Sequence, residues 1–393
     1  MRINIYIGNH SEKFLIDDVV YLNYIFSKRN IDVITSIELE PDSINIIFDD
    51  FCDYERSKKI IDFKRDNPKT VIIIVSSEHI VEKYFARTFN FFSGGIRDAA
   101  VISLLNIFYR ISIKHFSYPT LRDLAVAIVY SPILMIDYIM NIIKFTTLKK
   151  IGFYYKRPRS FGYMLKRYIG FEKMANYADS ILMMGVTDPN YIAEYSKNYK
   201  RLNLPKGTAV IGTFFPEIDV DDIKKNIFKN KKLFIEVTGT VTPYRFNKMQ
   251  EINDDISNLN LQNSFSNCKD FPKGGEHEIS AVVSKEGIIR GAYSLHPPQS
   301  ETWRYASSTR IYRALCIDYN MPILTKNFNQ HPIEDVCFIY DDKEQLFQFR
   351  DYYFDIEKFL PILESRIDKY MVIAEEHNDK FIENLSALLL SKN

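Results

Sequence analysis

The sequence predicts an α/β fold built from successive strand–helix units around parallel sheets. Three observations predict it. Short apolar runs alternate with amphipathic stretches through the first hundred residues. The early strands end in polar clusters, at 8–10, 49–50 and 76–79, as strands feeding crossover helices do. The alternation returns near Tyr177 and starts again with a fresh strand at Lys232.

Each element follows from its residues. Ile3–Ile7 reads as a strand ending at Gly8-Asn9-His10. Ser11 can cap a helix from about Glu12 to Lys28, with Phe14, Val19, Leu22 and Ile25 on one face. Ile31–Ile34 and Ile44–Phe48 are expected strands, and a charged helix runs from Tyr54 to Asp66. Thr70–Val75 is a strand that leads into Ser76-Ser77-Glu78-His79. Later strands are expected at 177–184, Gly207–Gly212, Lys232–Val237, Ile279–Val283, Gly291–Leu295, Met321–Leu324 and Val336–Ile339. Phe214–Asp219 reads as a linker, and 257–275 as an Asn/Ser/Gly-rich loop. From Phe359 the pattern is helical to the end, with Ile362, Ile367, Met371 and Ile382 among the inward candidates.

A length of 393 residues allows two or three domains, and a 46% hydrophobic fraction supplies their cores. Fifty-one Lys and Arg against 50 Asp and Glu leave no global field for nucleic acid. Cys52, Cys268, Cys316 and Cys337 are scattered without a C-x-x-C pair, so neither a disulfide framework nor a zinc site is expected, and a reducing cytoplasm fits. The opening Met-Arg-Ile-Asn-Ile-Tyr-Ile reads as a strand rather than a signal peptide.

Residues 101–170 interrupt the alternation and read as a helical insertion. Leu124–Ile136 is apolar but too short and interrupted for a membrane span. Lys144, Lys149, Lys150, Lys156, Arg157, Arg159, Lys166 and Arg167 then interleave with Phe and Tyr. That mixture suits an anionic lipid surface, engaged through 121–168, and equally a solvated basic loop after a buried insertion.

The richest stretch is 303–324. Ser307, Ser308 and Thr309 read as the N-cap and first turn of a helix, with Ile311, Ala314 and Leu315 on its apolar stripe. A turn at Asp318-Tyr319-Asn320 leads into the next strand. Three hydroxyls beside Arg310 make a ready anion site, because the first helical N–H groups have no intrahelical partner.

At these residues a resemblance to GT-B glycosyltransferases emerges. Ala178-Asp179-Ser180-Ile181-Leu182 is similar to the family's "ADxIL" strand, and a linker follows Gly212. Val237-Thr-Gly-Thr-Val-Thr-Pro-Tyr-Arg245 resembles the loop that opens the donor domain. Ser307-Ser308-Thr309-Arg310, with Ala314-Leu315 and Pro322-Ile323-Leu324, resembles the family's "S-[ST]-[KR]-x-x-E-A-L-x-x-G-x-P-[VI]". The resemblance implies two Rossmann-like domains facing across a cleft. Residues 1–215 would form the acceptor domain, with the 101–170 insertion, 220–358 the nucleotide-sugar domain and 359–393 a terminal helical segment.

It also implies site residues. Gly239 and Thr240 would let the donor approach the backbone, and Arg245 would pair its diphosphate. His296-Pro297 resembles the His-Pro pair of sialyl- and Kdo-transferases, which contacts the phosphate of cytidine monophosphate. Two departures stand out. Arg313 replaces a glutamate that binds ribose hydroxyls, which weakly favours an inverting enzyme, and Asn320 replaces the helix-ending glycine, where Asn tolerates a left-handed backbone. The base that deprotonates the acceptor is sought at strand ends of the first domain, where Glu78 and His10 rank above Asp50. Asp219-Val220-Asp221 is a D-x-D only formally, and His277 has no second ligand at metal spacing, so no metal and no cofactor are expected.

The expected partners are a nucleotide-sugar donor and a glycan or glycolipid acceptor of lipopolysaccharide or capsule type. Expected location is cytoplasmic or peripheral on the inner membrane face. Three alternatives remain: a CMP-sugar transferase, a sugar-nucleotide epimerase of the same fold, and, from another class, a receiver-like signalling protein suggested by Asp49-Asp50 and Ser76-Ser77.

Overall fold

The computed structural model describes residues 2–7, 16–48, 54–76, 177–187, 209–218, 232–237, 248–252, 254, 291–297, 306–325, 332–340 and 355–390. It is a mixed α/β structure with two parallel sheets. The first contains β1 (Arg2–Tyr6), β2 (Asp32–Ser36), β3 (Ile44–Phe48), β4 (Val71–Ser76), β5 (Ser180–Met184) and β6 (Ala209–Phe214). Their order is β2-β1-β3-β4-β5-β6, every pair parallel. The winding reverses between β1 and β3, and the carboxyl end of such a switch point is where open α/β sheets bind ligands. The second sheet runs β10-β9-β8-β7, built from Lys232–Val237 (β7), Gly291–His296 (β8), Met321–Leu324 (β9) and Phe338–Ile339 (β10). The expected strand at Ile279–Val283 lies outside the described residues, as do the 101–170 insertion and the 257–275 loop.

Strands β3 and β4 are buried at every residue, which is why they read as unbroken Ile/Val runs without a polar face. Two helices precede and follow β3. Helix α1 (Ile16–Lys28) has Asp17 and Asp18 in its first turn and Lys28 in its last, matching the helix dipole. It stops where Asn30 takes a left-handed φ of 56° and Ile31 N–H closes on Phe26 O at 3.0 Å. Helix α2 (Tyr54–Asp66) buries Ile60 and Ile61. Its Lys64 reaches the carbonyl of Thr70 and Asp179 Oδ2, the latter at 3.0 Å. Asp179 also accepts Ile72 N–H at 2.8 Å and donates its own N–H to Ile72 O at 2.7 Å. The aspartate of the "ADxIL" resemblance therefore pins β5 to β4 and to α2.

Helix α4 (Ile356–Leu390) has 35 residues, about 52 Å at 1.5 Å per residue. Phe359, Leu363, Ile367, Tyr370 and Ala374 pack into the core of the second sheet, with Leu295, Leu315, Ile323 and Val336. Phe381 and Leu385 pack into the core of the first, with Phe26, Leu182, Ile211 and Phe214. Spacings of three, four and seven along this stripe place all seven on one helical face. Of the inward candidates named from sequence, Ile367 is buried, whereas Ile362, Met371 and Ile382 flank the cores half-buried. Gly212 on β6 has no side chain to hold α4 off: a Cβ there would stand 3.4 Å from Phe381 Cα.

The segment after β6 is not a solvated linker. Phe215, Glu217 and Ile218 are buried. Asn378 of α4 accepts Phe215 N–H at 2.9 Å and donates to Phe215 O and Glu217 Oε2, both at 3.0 Å. Glu217 receives Lys28 Nζ, from the last residue of α1, at 2.5 Å and Arg29, just after it, at 3.4 Å. A buried carboxylate needs such company, because an unpaired charge away from water is severely unfavourable.

Asn378→Ala leaves a buried backbone N–H, a carbonyl and part of a carboxylate without partners. We expect a loss of about 2–4 kcal/mol in urea unfolding. Asn384→Ala removes one half-buried bond to Ile211 O and is expected to cost about 1 kcal/mol.

Candidate functional site

The first turn of the 303–324 helix forms where the sequence places it. Ser307 is the N-cap, with extended φ and ψ of −76° and 108°, and α3 spans Ser308–Tyr312. Ile311 N–H closes the first turn on Ser307 O at 3.0 Å. The Ser307 hydroxyl makes no capping bond.

The hydroxyls of this turn meet the first sheet. Thr309 Oγ1 donates to Asp18 Oδ1 of α1 at 3.0 Å and lies 3.6 Å from Met184 Sδ at the end of β5. Ser308 is 2% exposed. Its Oγ occupies the space where a side chain on Gly185 would begin, 1.9 Å from an ideal Cβ there. Gly185 has φ of +62°, and its N–H extends the strand pairing to Phe214 O at 2.8 Å. Glycine is thus required twice over: for the left-handed turn and for the close approach. One turn along, Tyr312 stacks edge-on against Tyr21 of α1 at 5.2 Å, and its hydroxyl accepts Ile218 N–H at 2.9 Å.

Asp18 is the residue that sequence reasoning missed. It is 4% exposed, in the first turn of α1, and Thr309 is its hydrogen-bond donor. Burial pushes its carboxyl up from 3.8 to about 7, the Thr309 bond pulls it down, and the neighbouring Asp17 charge pushes it further up. An aspartate in a helix's first turn reads as a dipole partner, so nothing local marked it. Burial also raises the Tyr21 and Tyr312 hydroxyls well above their ordinary value.

Beyond Tyr312 the helix widens over Arg313–Ile317. Asp318 N–H reaches back five residues to Arg313 O at 2.8 Å, and Asn320 N–H six residues to Ala314 O at 2.6 Å. Because the turn is one residue wider than an ordinary helix end, the left-handed residue is Tyr319, at φ 53°, rather than the expected Asn320. Arg313, which replaces the ribose-binding glutamate of the resemblance, turns inward, and its Nε meets Asp318 Oδ2 at 3.3 Å.

His296 closes β8, buried and in register with Leu324, and Pro297 is buried after it. Arg310 is half-buried beside Thr309. His10, Asp50, Glu78, Gly239, Thr240 and Arg245 lie outside the described residues, as does the basic segment 121–168. Among the described residues no group of His, Cys, Asp and Glu is placed to hold a metal, and no helix is long and apolar enough to cross a membrane.

No family model matches the chain, and no curated protein matches it in sequence. Among solved structures it is similar to UGT73P12 of Glycyrrhiza uralensis complexed with glycyrrhetinic acid 3-O-monoglucuronide. That likeness has a TM-score of 0.39 and 9% identity, over 100% of this chain and 95% of the other. At so low a score and identity it decides nothing about chemistry.

Gly185→Ala is expected to destabilise by about 2–4 kcal/mol, from left-handed strain and the overlap with Ser308. Adding Ser308→Gly removes the overlapping side chain. The double variant should recover part of the loss, the strain of about 1–2 kcal/mol remaining. A double-mutant cycle by urea unfolding reads the coupling.

Proposed function

We propose that the chain is a GT-B glycosyltransferase. It moves a sugar from a nucleotide-activated donor to a hydroxyl of a glycan or glycolipid, of the kind assembled into lipopolysaccharide or capsule. The observation that supports this reading is the meeting of α3's first turn with Gly185, at the carboxyl end of β5 in the other sheet. Carboxyl-terminal strand ends are where α/β sheets bind ligands, and a helix start beside them presents backbone N–H groups to a departing phosphate. Two parallel sheets sharing one terminal helix fit two domains that close around a donor and an acceptor.

In this reading Arg310, with Gly239, Thr240 and Arg245 of the β7 loop, holds the donor phosphates and stabilises the charge that develops on the leaving group. No metal is required. The acceptor lies against the first sheet, where β1 and β3 flank the switch point. His10 and Asp50 follow those strands in sequence, and Glu78 follows β4. One of the three takes the acceptor's proton, and the transfer inverts the anomeric centre. The segment 121–168 brings the enzyme to anionic lipid at the inner membrane face. His296-Pro297, buried at the end of β8, supports a second reading in which the donor is a CMP-sugar.

A thermal-shift panel of UDP, GDP, CMP, CDP and dTDP at millimolar concentration tests the donor site. At least one is expected to stabilise the chain, by about 2.7 kcal/mol if present at a hundred times its Kd. Arg310→Ala should weaken that ligand about tenfold, the worth of a charged hydrogen bond. If every nucleotide leaves the melting temperature unchanged, the reading fails. Incubation with a donor sugar alone separates transfer from epimerisation, since an epimerase converts it without an acceptor.

A further inference from the structure

Helices α1 and α3 meet through two matched pairs of side chains. Asp18 and Tyr21 stand three residues apart on α1, and Thr309 and Tyr312 three apart on α3, so each pair shares one side of its helix. Asp18 Oδ1 accepts the Thr309 hydroxyl at 3.0 Å. One turn on, the Tyr21 and Tyr312 rings meet edge to face at 5.2 Å. Asp18, Tyr21 and Tyr312 are buried, and Thr309 is half-buried. Beside them Ser308 fills the space over Gly185, and Ile311 lies in the core of the second sheet. Four of the five residues of α3 are thus fixed by packing, and the half-buried Arg310 stands among them.

We propose that Asp18 is a positioning residue of the donor site: through Thr309 it sets the roll of α3 and so the place of Arg310. The proposal rests on the reading of Arg310 as a ligand of the donor phosphates.

Two contacts one turn apart do what one cannot. A single contact leaves a helix free to roll about it, whereas two fix both its roll and its height. The contacts differ in precision. A ring pair tolerates offsets, while a hydrogen bond weakens steeply away from its distance and angle. Thr309 Oγ1 also lies 3.6 Å from Met184 Sδ, but a thioether is a weak acceptor, so the Asp18 carboxyl is the stronger guide of the hydroxyl. Roll matters for Arg310 because a guanidinium binds phosphate as a rigid fork. A roll of about 10° moves a group at the rim of a helix, about 6 Å from its axis, by about 1 Å. Displacements of that size are enough to spoil an oriented contact.

Nucleotide titrations of the full chain by isothermal titration calorimetry test this, with UDP, GDP, CMP, CDP and dTDP as probes and circular dichroism to confirm the fold. Asp18→Leu keeps a branched side chain that accepts nothing, and Thr309→Val keeps the shape but donates nothing. Each should weaken the nucleotide that the wild type binds by about fivefold, the worth of one hydrogen bond. Asp18→Asn still accepts the hydroxyl and should bind within about twofold of the wild type. In an Arg310→Ala background Asp18→Leu should weaken binding no further, because both act through one group. A residue that merely supported the fold would weaken binding equally in both backgrounds. Equal losses in the two backgrounds therefore overturn the proposal. So does wild-type affinity in Asp18→Leu and Thr309→Val, or a loss in Asp18→Asn as large as in Asp18→Leu. If Asp18→Leu fails to fold, Thr309→Val in the two backgrounds decides in the same way. Binding by the wild type with unaffected variants removes the positioning role alone, whereas no binding of any probe removes the donor reading and this proposal together.

Discussion

A buried negative charge organises this molecule. Glu217 lies just past the last strand of the first sheet, at 1% exposure. Its carboxylate can stay there only with partners, and these come from elements far apart in the chain: Lys28 and Arg29 at the end of α1, and Asn378 in the middle of α4. The same Asn378 takes both backbone groups of Phe215. So α1, the segment after β6 and the terminal helix must converge on one point before the carboxylate is satisfied. That convergence puts half of α4 on each core, and it sets how α1 presents itself to the second sheet.

Helix α1 accordingly works on two sides. Val19, Leu22, Ile25 and Phe26 fill the core of the first sheet. Asp18 and Tyr21 instead meet α3, while Lys28 meets Glu217. Its far end is tied by the ion pairs of Lys28 and Arg29 with Glu217, which Asn378 also bonds. Its near end is tied by one hydroxyl bond to a carboxyl whose ionisation burial opposes. The far end buries a carboxylate among cations, and the near end buries a carboxyl whose ionisation desolvation opposes.

Several residues that carry the glycosyltransferase resemblance have structural work here. Asp179 bridges β4, β5 and α2. Arg313 pairs with Asp318 inside a widened turn, so substituting it for glutamate changes what the helix end buries as well as what it offers a ribose. Ser308 and Thr309 spend their side chains on the first sheet.

Periodicity along the sequence was enough for the strands and helices of the first unit. A parallel strand buried on both faces must be a short apolar run, and β3 and β4 show this plainly. Strand ends shifted by a residue or two, as in β2 and β6, because hydrogen-bonding neighbours set where pairing stops. The helix start at Ser307 was legible from its hydroxyls, since capping preference is local. What those hydroxyls touch was not. That Gly185 must be glycine for Ser308, that Glu217 is buried in a segment that reads as a linker, and that the buried Asp18 accepts the Thr309 hydroxyl are facts about residues 123, 189 and 291 positions from their partners. The one-dimensional chain determined which residues can form strands, helices and caps. Only tertiary packing decided which polar groups lost their water, because desolvation depends on neighbours that the local sequence does not contain.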